Sequence, residues 1–215
     1  MEIVEGVAQR FDFEDNKSLG EAELSKYTVS KQQSHFTSLR ALFNNYRGEY
    51  CPEGNYIRLF VGDTLMMSDT KMEKDTNREF IRQAEGDVFI AGLGIGLILH
   101  NIKDNVEKGI VKSITVIEIS QDVIDLVSPY YKDMDIKYIC GDVMEYKPKK
   151  DEKYDTIYFD IWPFISTDNL EDMRKLSYIW RSHKKTKDSW IGYWQRDFLV
   201  RRREQERRED MRGWW

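Results

Sequence analysis

Cysteine and histidine are the first shortages: a chain of 215 residues carries two Cys and three His. Cys51 and Cys140 do not make a disulfide scaffold, and such sparse use fits a reducing compartment. The Cys and His residues are widely spaced and form no metal-ligand pattern, so no metal is expected. Long apolar runs are missing too. The longest, Val88 to Leu99, is too short and too glycine-rich to cross a bilayer. Met1 leads into Glu2 and Glu5 instead of a basic and apolar leader. These absences predict a soluble, cytoplasmic chain with no membrane partner. Positive charge is not in excess either: 33 Lys and Arg stand against 38 Asp and Glu, a net charge of −5. That weighs against a partner held through nucleic-acid phosphates.

Aromatic residues are plentiful, at 13% of the chain, which argues against disorder. The length fits one large domain, or one domain with a small appendage. Residues 1–27 are weakly patterned and read as an irregular or short-strand lead-in. Ser30 to Tyr46 reads as a helix, with Phe36, Leu39, Leu42, Phe43 and Tyr46 near a 3.6-residue period. Tyr56 to Val61 and Thr64 to Ser68 flank Gly62-Asp63 as a β-hairpin. Asp75 or Thr76 can cap a helix running to about Glu85. Then come a strand at Val88 to Ala91, a helix from Ile95 to Lys108 and a strand at Ser113 to Ile119. A helix capped by Ser120 follows and stops at Pro129, before strands at Ile136 to Cys140 and Tyr154 to Phe159. A helix from Thr167 or Asp168 to about His183 leads to a last strand, Trp190 to Trp194. The β-α-β order predicts an α/β fold, a Rossmann-like, doubly wound, mostly parallel sheet. The divisions expected are residues 1–85 (helix and hairpin), 86–197 (the Rossmann-like unit) and 198–215 (a charged helix).

In such sheets ligands bind beyond the carboxyl ends of the strands. Those ends carry Gly92, Gly94 and Gly96, then Glu118, then Asp142, then Asp160. Glycines between a strand and a helix leave backbone N–H groups open to a ligand. Glu118 lies about 22 residues beyond Gly96, near the spacing at which a carboxylate meets ribose hydroxyls. The glycines follow G-x-G-x-G, not the G-x-G-x-x-G that draws in a pyrophosphate, so a nucleoside without pyrophosphate fits better. Asp160 is the candidate proton acceptor for an amine acceptor. Trp162 and Phe164 can wall an acceptor or a sulfonium face. Plain alternatives stand beside these: a loop-capping Asp160, a turn-forming Asp142, a surface Glu79, and core packing for Trp162 and Phe164.

Six stretches stand in one order. They are the hairpin Leu59-Phe-Val-Gly-Asp-Thr-Leu-Met66, Thr76-Asn-Arg-Glu79, Val88 to Gly96, Val116-Ile-Glu118, Gly141-Asp-Val-Met-Glu-Tyr146 and Tyr154-Asp-Thr-Ile-Tyr-Phe-Asp160. Together they resemble the class I S-adenosylmethionine-dependent methyltransferases, and among them the polyamine aminopropyltransferases (spermidine synthase-like proteins), over Tyr56 to Phe164. The resemblance implies S-adenosylmethionine as cofactor, or its decarboxylated form. It implies a nucleoside site at Gly92, Gly94, Gly96, Glu118, Ile119, Asp142 and Val143, with Asp142 reaching the adenine amino group. It also implies a catalytic Asp160 and an acceptor side at Trp162, Phe164 and Glu79. Three positions depart from aminopropyltransferases. Gly94 stands where that family has an Asp for the aminopropyl amine, Met66 falls near its hairpin Gln, and Asp160-Ile-Trp-Pro163 keeps one Asp of two.

Three functions follow: a methyltransferase acting on a small acceptor, with an amine among the candidates; an aminopropyltransferase with an altered site; or a non-catalytic nucleoside-binding or assembly module. DNA-amine methylation is disfavoured, since Asp160-Ile-Trp-Pro163 lacks the Asn/Asp-Pro-Pro-aromatic motif. His100 reads as a helix-face residue, and His35 and His183 as solvated or packed. Arg201-Arg-Arg203, Arg207-Arg208 and Arg212 alternate with Glu204, Glu206, Glu209 and Asp210, as on a solvated helix. Trp214-Trp215 reads as a segment that could dock on the domain or on another subunit, which leaves a homo-oligomer open.

Overall fold

The structure is a computed structural model that describes residues 7–43 and 50–212. Its first layer is an antiparallel sheet. β1 (Asn16–Leu19) and β2 (Ala22–Val29) precede helix α1 (Lys31–Phe43), and β3 (Gly54–Val61) and β4 (Thr64–Ser68) follow it. The order is β1-β2-β3-β4. Gly62, at φ 55°, makes the tight hairpin turn between β3 and β4. Half of this sheet therefore comes from the segment read as a lead-in. β1 is exposed along its whole length, so it carries no alternation to reveal it. A reciprocal cap starts α1: Gln33 N–H donates to Ser30 Oγ at 3.3 Å, and Ser30 N–H to Gln33 Oε1 at 2.8 Å. The end expected at Tyr46 lies outside the described residues.

Two short helices link the layers, α2 (Lys71–Thr76) and α3 (Arg78–Gln83). A single helix beginning at Asp75 or Thr76 was the expectation. The chain instead turns helical at Lys71 and breaks at buried Asn77. The Asn77 amide donates to the Glu73 carbonyl at 3.0 Å, and its Oδ1 accepts the Tyr158 hydroxyl at 2.7 Å. That side chain competes with the helical ladder and ties the break to the neighbouring layer.

The second layer starts with β5 (Gly86–Ala91), followed by α4 (Leu97–Asn101), α5 (Lys103–Glu107) and β6 (Val111–Glu118). Next come α6 (Gln121–Val127), β7 (Ile136–Cys140) and β8 (Thr156–Phe159). The chain closes with α7 (Asn169–Trp180), β9 (Trp190–Tyr193) and α8 (Arg196–Arg212). All five strands are parallel, in the order β7-β6-β5-β8-β9. This is the Rossmann-like sheet that the alternation of strands and helices implies. From β5 the chain steps outward to β6 and β7, then returns across β5 to β8 and β9. Right-handed crossovers in opposite directions put helices on both faces. The helix expected at 95–108 is two helices, because Asn105 N–H bonds the Ile102 carbonyl at 2.9 Å and tightens the chain there. Among the described residues, no helix is long and apolar enough to cross a membrane.

β5 is the axis of the core. Val88, Phe89, Ile90 and Ala91 are all fully buried, which is why its sequence shows no polar alternation. Val88 and Ile90 pack with Leu24, Ile57 and Leu59 of the antiparallel sheet in one apolar cluster. Phe89 and Ala91 face the other way, with Ile157, Phe159 and Trp180. Buried Asp69, just after β4, stitches the first layer together. It accepts Ile57 N–H at 2.8 Å and Ala8 N–H at 3.2 Å.

Candidate functional site

The point where the strand order reverses lies between β5 and β8, and a cavity of about 230 Å³ opens at their carboxyl ends. Its floor is the loop Gly92 to Gly94 with Glu118, Asp142, Val143 and Asp160. Its roof is the antiparallel sheet, through Leu59, Val61, Met66 and Met67. Small-ligand pockets run upward from roughly 300 Å³, so this one lies just below the small end of that range.

The loop glycines are fixed by close approach. Gly92 has φ 95°, and a Cβ there would fall 2.1 Å from the Asp160 carbonyl oxygen. Gly94 has φ 52°, and a Cβ there would sit 2.5 Å from Met67 Sδ. Gly96 differs from the sequence expectation: it does not line the cavity. Its φ of 71° starts α4, and a Cβ would strike the Tyr131 ring at 2.4 Å, so packing explains this glycine.

Glu118, the last residue of β6, accepts Leu93 N–H at 2.8 Å and Ser120 N–H at 3.0 Å. It thereby fixes the glycine loop against the strand end. A carboxylate has about four lone-pair sites, so acceptor capacity remains on each oxygen. Ile119 lines the cavity but is 67% exposed. Asp142 accepts Met144 N–H at 2.8 Å, the turn-forming role, and still lines the cavity. Val143 beside it is buried and lines the same wall.

Asp160 follows β8. Its Oδ2 is sealed from solvent and has no hydrogen-bond partner. Burial pushes its carboxyl up to about 7, with the Asn77 side chain pulling the other way. Trp162 lines the cavity, and its indole N–H is buried without a partner. Two acceptor-side expectations need correcting. Phe164 is 66% exposed and off the cavity, since the chain turns outward after Pro163 and Asn169 holds the Phe164 carbonyl at 2.8 Å. Glu79 faces solvent on α3, where Gln83 and Arg82 hold its carboxylate and lower its pKa.

The acid that does reach the cavity from this segment is Glu73, six residues earlier on α2. Burial raises its pKa to about 8, and the Asp160 charge adds to the shift. Sequence reasoning missed it by starting the helix too late. The available signal was the spacing Glu73, Asn77, Phe80, which follows one helical face. Trp194 was missed as well. It is buried against the cavity, and its indole N–H donates to Thr76 Oγ1 at 3.0 Å. His100 stays outside, as a neutral acceptor for Arg10 Nε at 3.1 Å.

No family model and no curated protein matches this chain. Among solved structures, it is similar to the N-methyltransferase NodS from Bradyrhizobium japonicum WM9. There the identity is 14%, over 56% of this chain and 66% of that one, with a TM-score of 0.43. NodS in complex with S-adenosyl-L-homocysteine matches at 13% identity over 53% and 56% of the two chains, TM-score 0.41. The Trypanosoma brucei PRMT1 enzyme-prozyme complex matches at 19% identity over 55% and 37%, TM-score 0.40. This chain thus spans between 37% and 66% of the length of those proteins. At these values the likeness assigns neither activity nor acceptor to it.

Proposed function

We propose that this chain is an S-adenosylmethionine-dependent methyltransferase acting on a small amine acceptor. One observation carries the reading. Glu118, Asp142 and Asp160, from the ends of three strands, converge with the Gly92–Gly94 loop on one cavity at the strand-order reversal.

The residues present fit a sulfonium nucleoside. Glu118 keeps acceptor capacity for ribose hydroxyls, and Ile119 and Val143 offer apolar faces beside the Asp142 carboxylate for a base. The unpartnered Asp160 Oδ2 and Trp162 N–H mark the other end as built for a polar group. When bound, the cofactor supplies an electrophilic methyl group. The chain supplies alignment, a dry site and a proton acceptor. Met66 and Met67 line the cavity from the hairpin, and Asp160, raised by burial to about 7, can take the proton of an amine nitrogen and pass it on near neutral pH. An indole face near a cation adds about 0.5–2 kcal/mol.

Aminopropyl transfer by a spermidine synthase-like chain is the second reading, favoured by the antiparallel sheet roofing the cleft. Against it stands Gly94, where that reaction would call for a carboxylate. A side chain there would be strained at φ 52° and would have to displace Met67 Sδ, 2.5 Å from the Cβ position.

Calorimetry with S-adenosylmethionine, decarboxylated S-adenosylmethionine and methylthioadenosine tests the assignment. S-adenosylmethionine should bind best, and Glu118→Ala should abolish binding. Asp160→Asn should keep the cofactor and lose about 10²–10⁴ in turnover of an amine. Preference for the decarboxylated form would transfer the case to aminopropyl transfer. Binding of none of the three would leave a non-catalytic module.

A further inference from the structure

Glu73 is an acid that methyl transfer through Asp160 alone does not use. It reaches the cavity from α2 beside Asp160. Burial and the Asp160 charge both raise its pKa, and no cation opposes them. Asp160 is likewise raised by burial, with only the Asn77 amide against it. The other charged and titratable groups nearby are engaged elsewhere. Lys74, next on α2, lies in the field of Asp69. The Tyr158 hydroxyl donates to Asn77 Oδ1 at 2.7 Å. Glu118 and Asp142 accept backbone N–H groups at the nucleoside side. Apart from Glu118, Asp142 and Ser120, the cavity they share is lined by apolar and aromatic side chains, among them Leu59, Val61, Met66, Trp162 and Trp194.

Two buried carboxyls in each other's field do not both ionise readily, so near neutral pH the pair keeps part of its protons and presents less than two negative charges. Asp160 Oδ2, buried and unpartnered, is left to find its hydrogen bond in a ligand. One cationic centre satisfies such a pair. With Glu118 and Asp142 taken up at the nucleoside side, a second cation on the same ligand would find apolar side chains and an indole face worth about 0.5–2 kcal/mol, which does not repay its desolvation.

We infer that Glu73 and Asp160 act as one carboxyl pair that selects an acceptor carrying a single cationic amine on an apolar body, with Glu73 the specificity-determining member. The inference rests on the amine methyl-transfer reading for which end of the cavity receives the acceptor. It sets the chain apart from diamine and polyamine chemistry, where two or more cationic centres must be held.

Three probes separate charge from shape: 2-phenylethylamine, 2-phenylethanol and 1,4-diaminobutane. Each is titrated calorimetrically into the full chain, with and without S-adenosyl-L-homocysteine. 2-Phenylethylamine should bind at least about tenfold tighter than either of the others. Glu73→Gln should erase the preference for amine over alcohol, and Glu73→Asp should keep it. Because the preference is a ratio within one protein, a general loosening of the fold moves both probes and leaves it unchanged. Equal binding of amine and alcohol, tighter binding of the diamine, binding of no probe, or an unchanged ratio in Glu73→Gln each overturns the inference. Failure of S-adenosyl-L-homocysteine to bind is a separate result. It removes the methyl-transfer reading, while the probe ratios still decide the role of Glu73.

Discussion

Replacing Glu73 by Gln should change how stability depends on pH, and the size of the effect follows from one carboxyl. Glu73 is moved from an ordinary 4.5 to about 8 in the folded chain. A carboxyl raised by folding contributes its full stability below its unfolded pKa and loses it as pH rises through the folded value. Between those two values the folded chain holds one more proton here than the unfolded chain. Each pH unit then costs about 1.4 kcal/mol. From pH 5 to pH 8 the loss at this site comes to about 3.5 kcal/mol by the same linkage. For a chain of this size that is roughly 7–14 °C in Tm. Gln keeps the shape and carries no titrating proton, so Glu73→Gln should lose that much less over the same interval. Urea unfolding of both proteins at pH 5, 6, 7 and 8 gives the difference directly. In Asp160→Asn the interval should narrow from the alkaline side, because the Asp160 charge is one cause of the shift. Parallel curves for wild type and Glu73→Gln would refute the reasoning, since Glu73 would then be ionised in the folded chain already at pH 5.

Three further outcomes are expected. Asp160, raised to about 7, acts as a base only when ionised, so kcat/KM for an amine should rise about tenfold per pH unit below pH 7 and level off above it; a limb near pH 4 would place the base elsewhere. Asp69→Ala leaves the N–H groups of Ile57 and Ala8 without their acceptor and should cost about 2–4 kcal/mol in urea unfolding; a loss under about 0.5 kcal/mol would contradict that accounting. Gly92→Ala sets a Cβ 2.1 Å from the Asp160 carbonyl oxygen at φ 95°, and should cost about 2–3 kcal/mol and lower turnover together; wild-type stability and turnover would mean the loop yields freely.

The parallel sheet was legible because its central strand is buried on both faces, and Val88 to Ala91 therefore reads as a plain apolar run. Ile136 to Cys140 was placed to the residue, and the Ser120 cap is present, with Val123 N–H on Ser120 Oγ at 3.3 Å. The carboxyl ends of the strands already single out Glu118, Asp142 and Asp160 in the sequence. What stayed hidden depends on contacts distant in sequence. β1 is short and exposed, so only its pairing to β2 defines it. The break at Asn77 is set by Tyr158, 81 residues away. Glu79 reads as either a pocket acid or a surface acid when the helix is taken to start at Asp75 or Thr76; with the start at Lys71, Glu79 lies on the surface and Glu73 reaches the cavity. Phe164 was grouped with Trp162 by proximity alone, and one outward turn after Pro163 separates them.

The hydrogen bond from Trp194 to Thr76 also bears on biosynthesis. It spans 118 residues, and the cavity takes its walls from Leu59 through to Trp194. A growing chain folds from its N-terminal side as it emerges from the ribosome. Here the glycine loop and Glu118 can come together early, while the Trp194 wall of the same cavity waits for β9 and the residue after it. A nascent or truncated chain ending before Trp194 would thus hold its buried acids open to water, and the charge-selective end of the cavity would form only once Trp194 has been added.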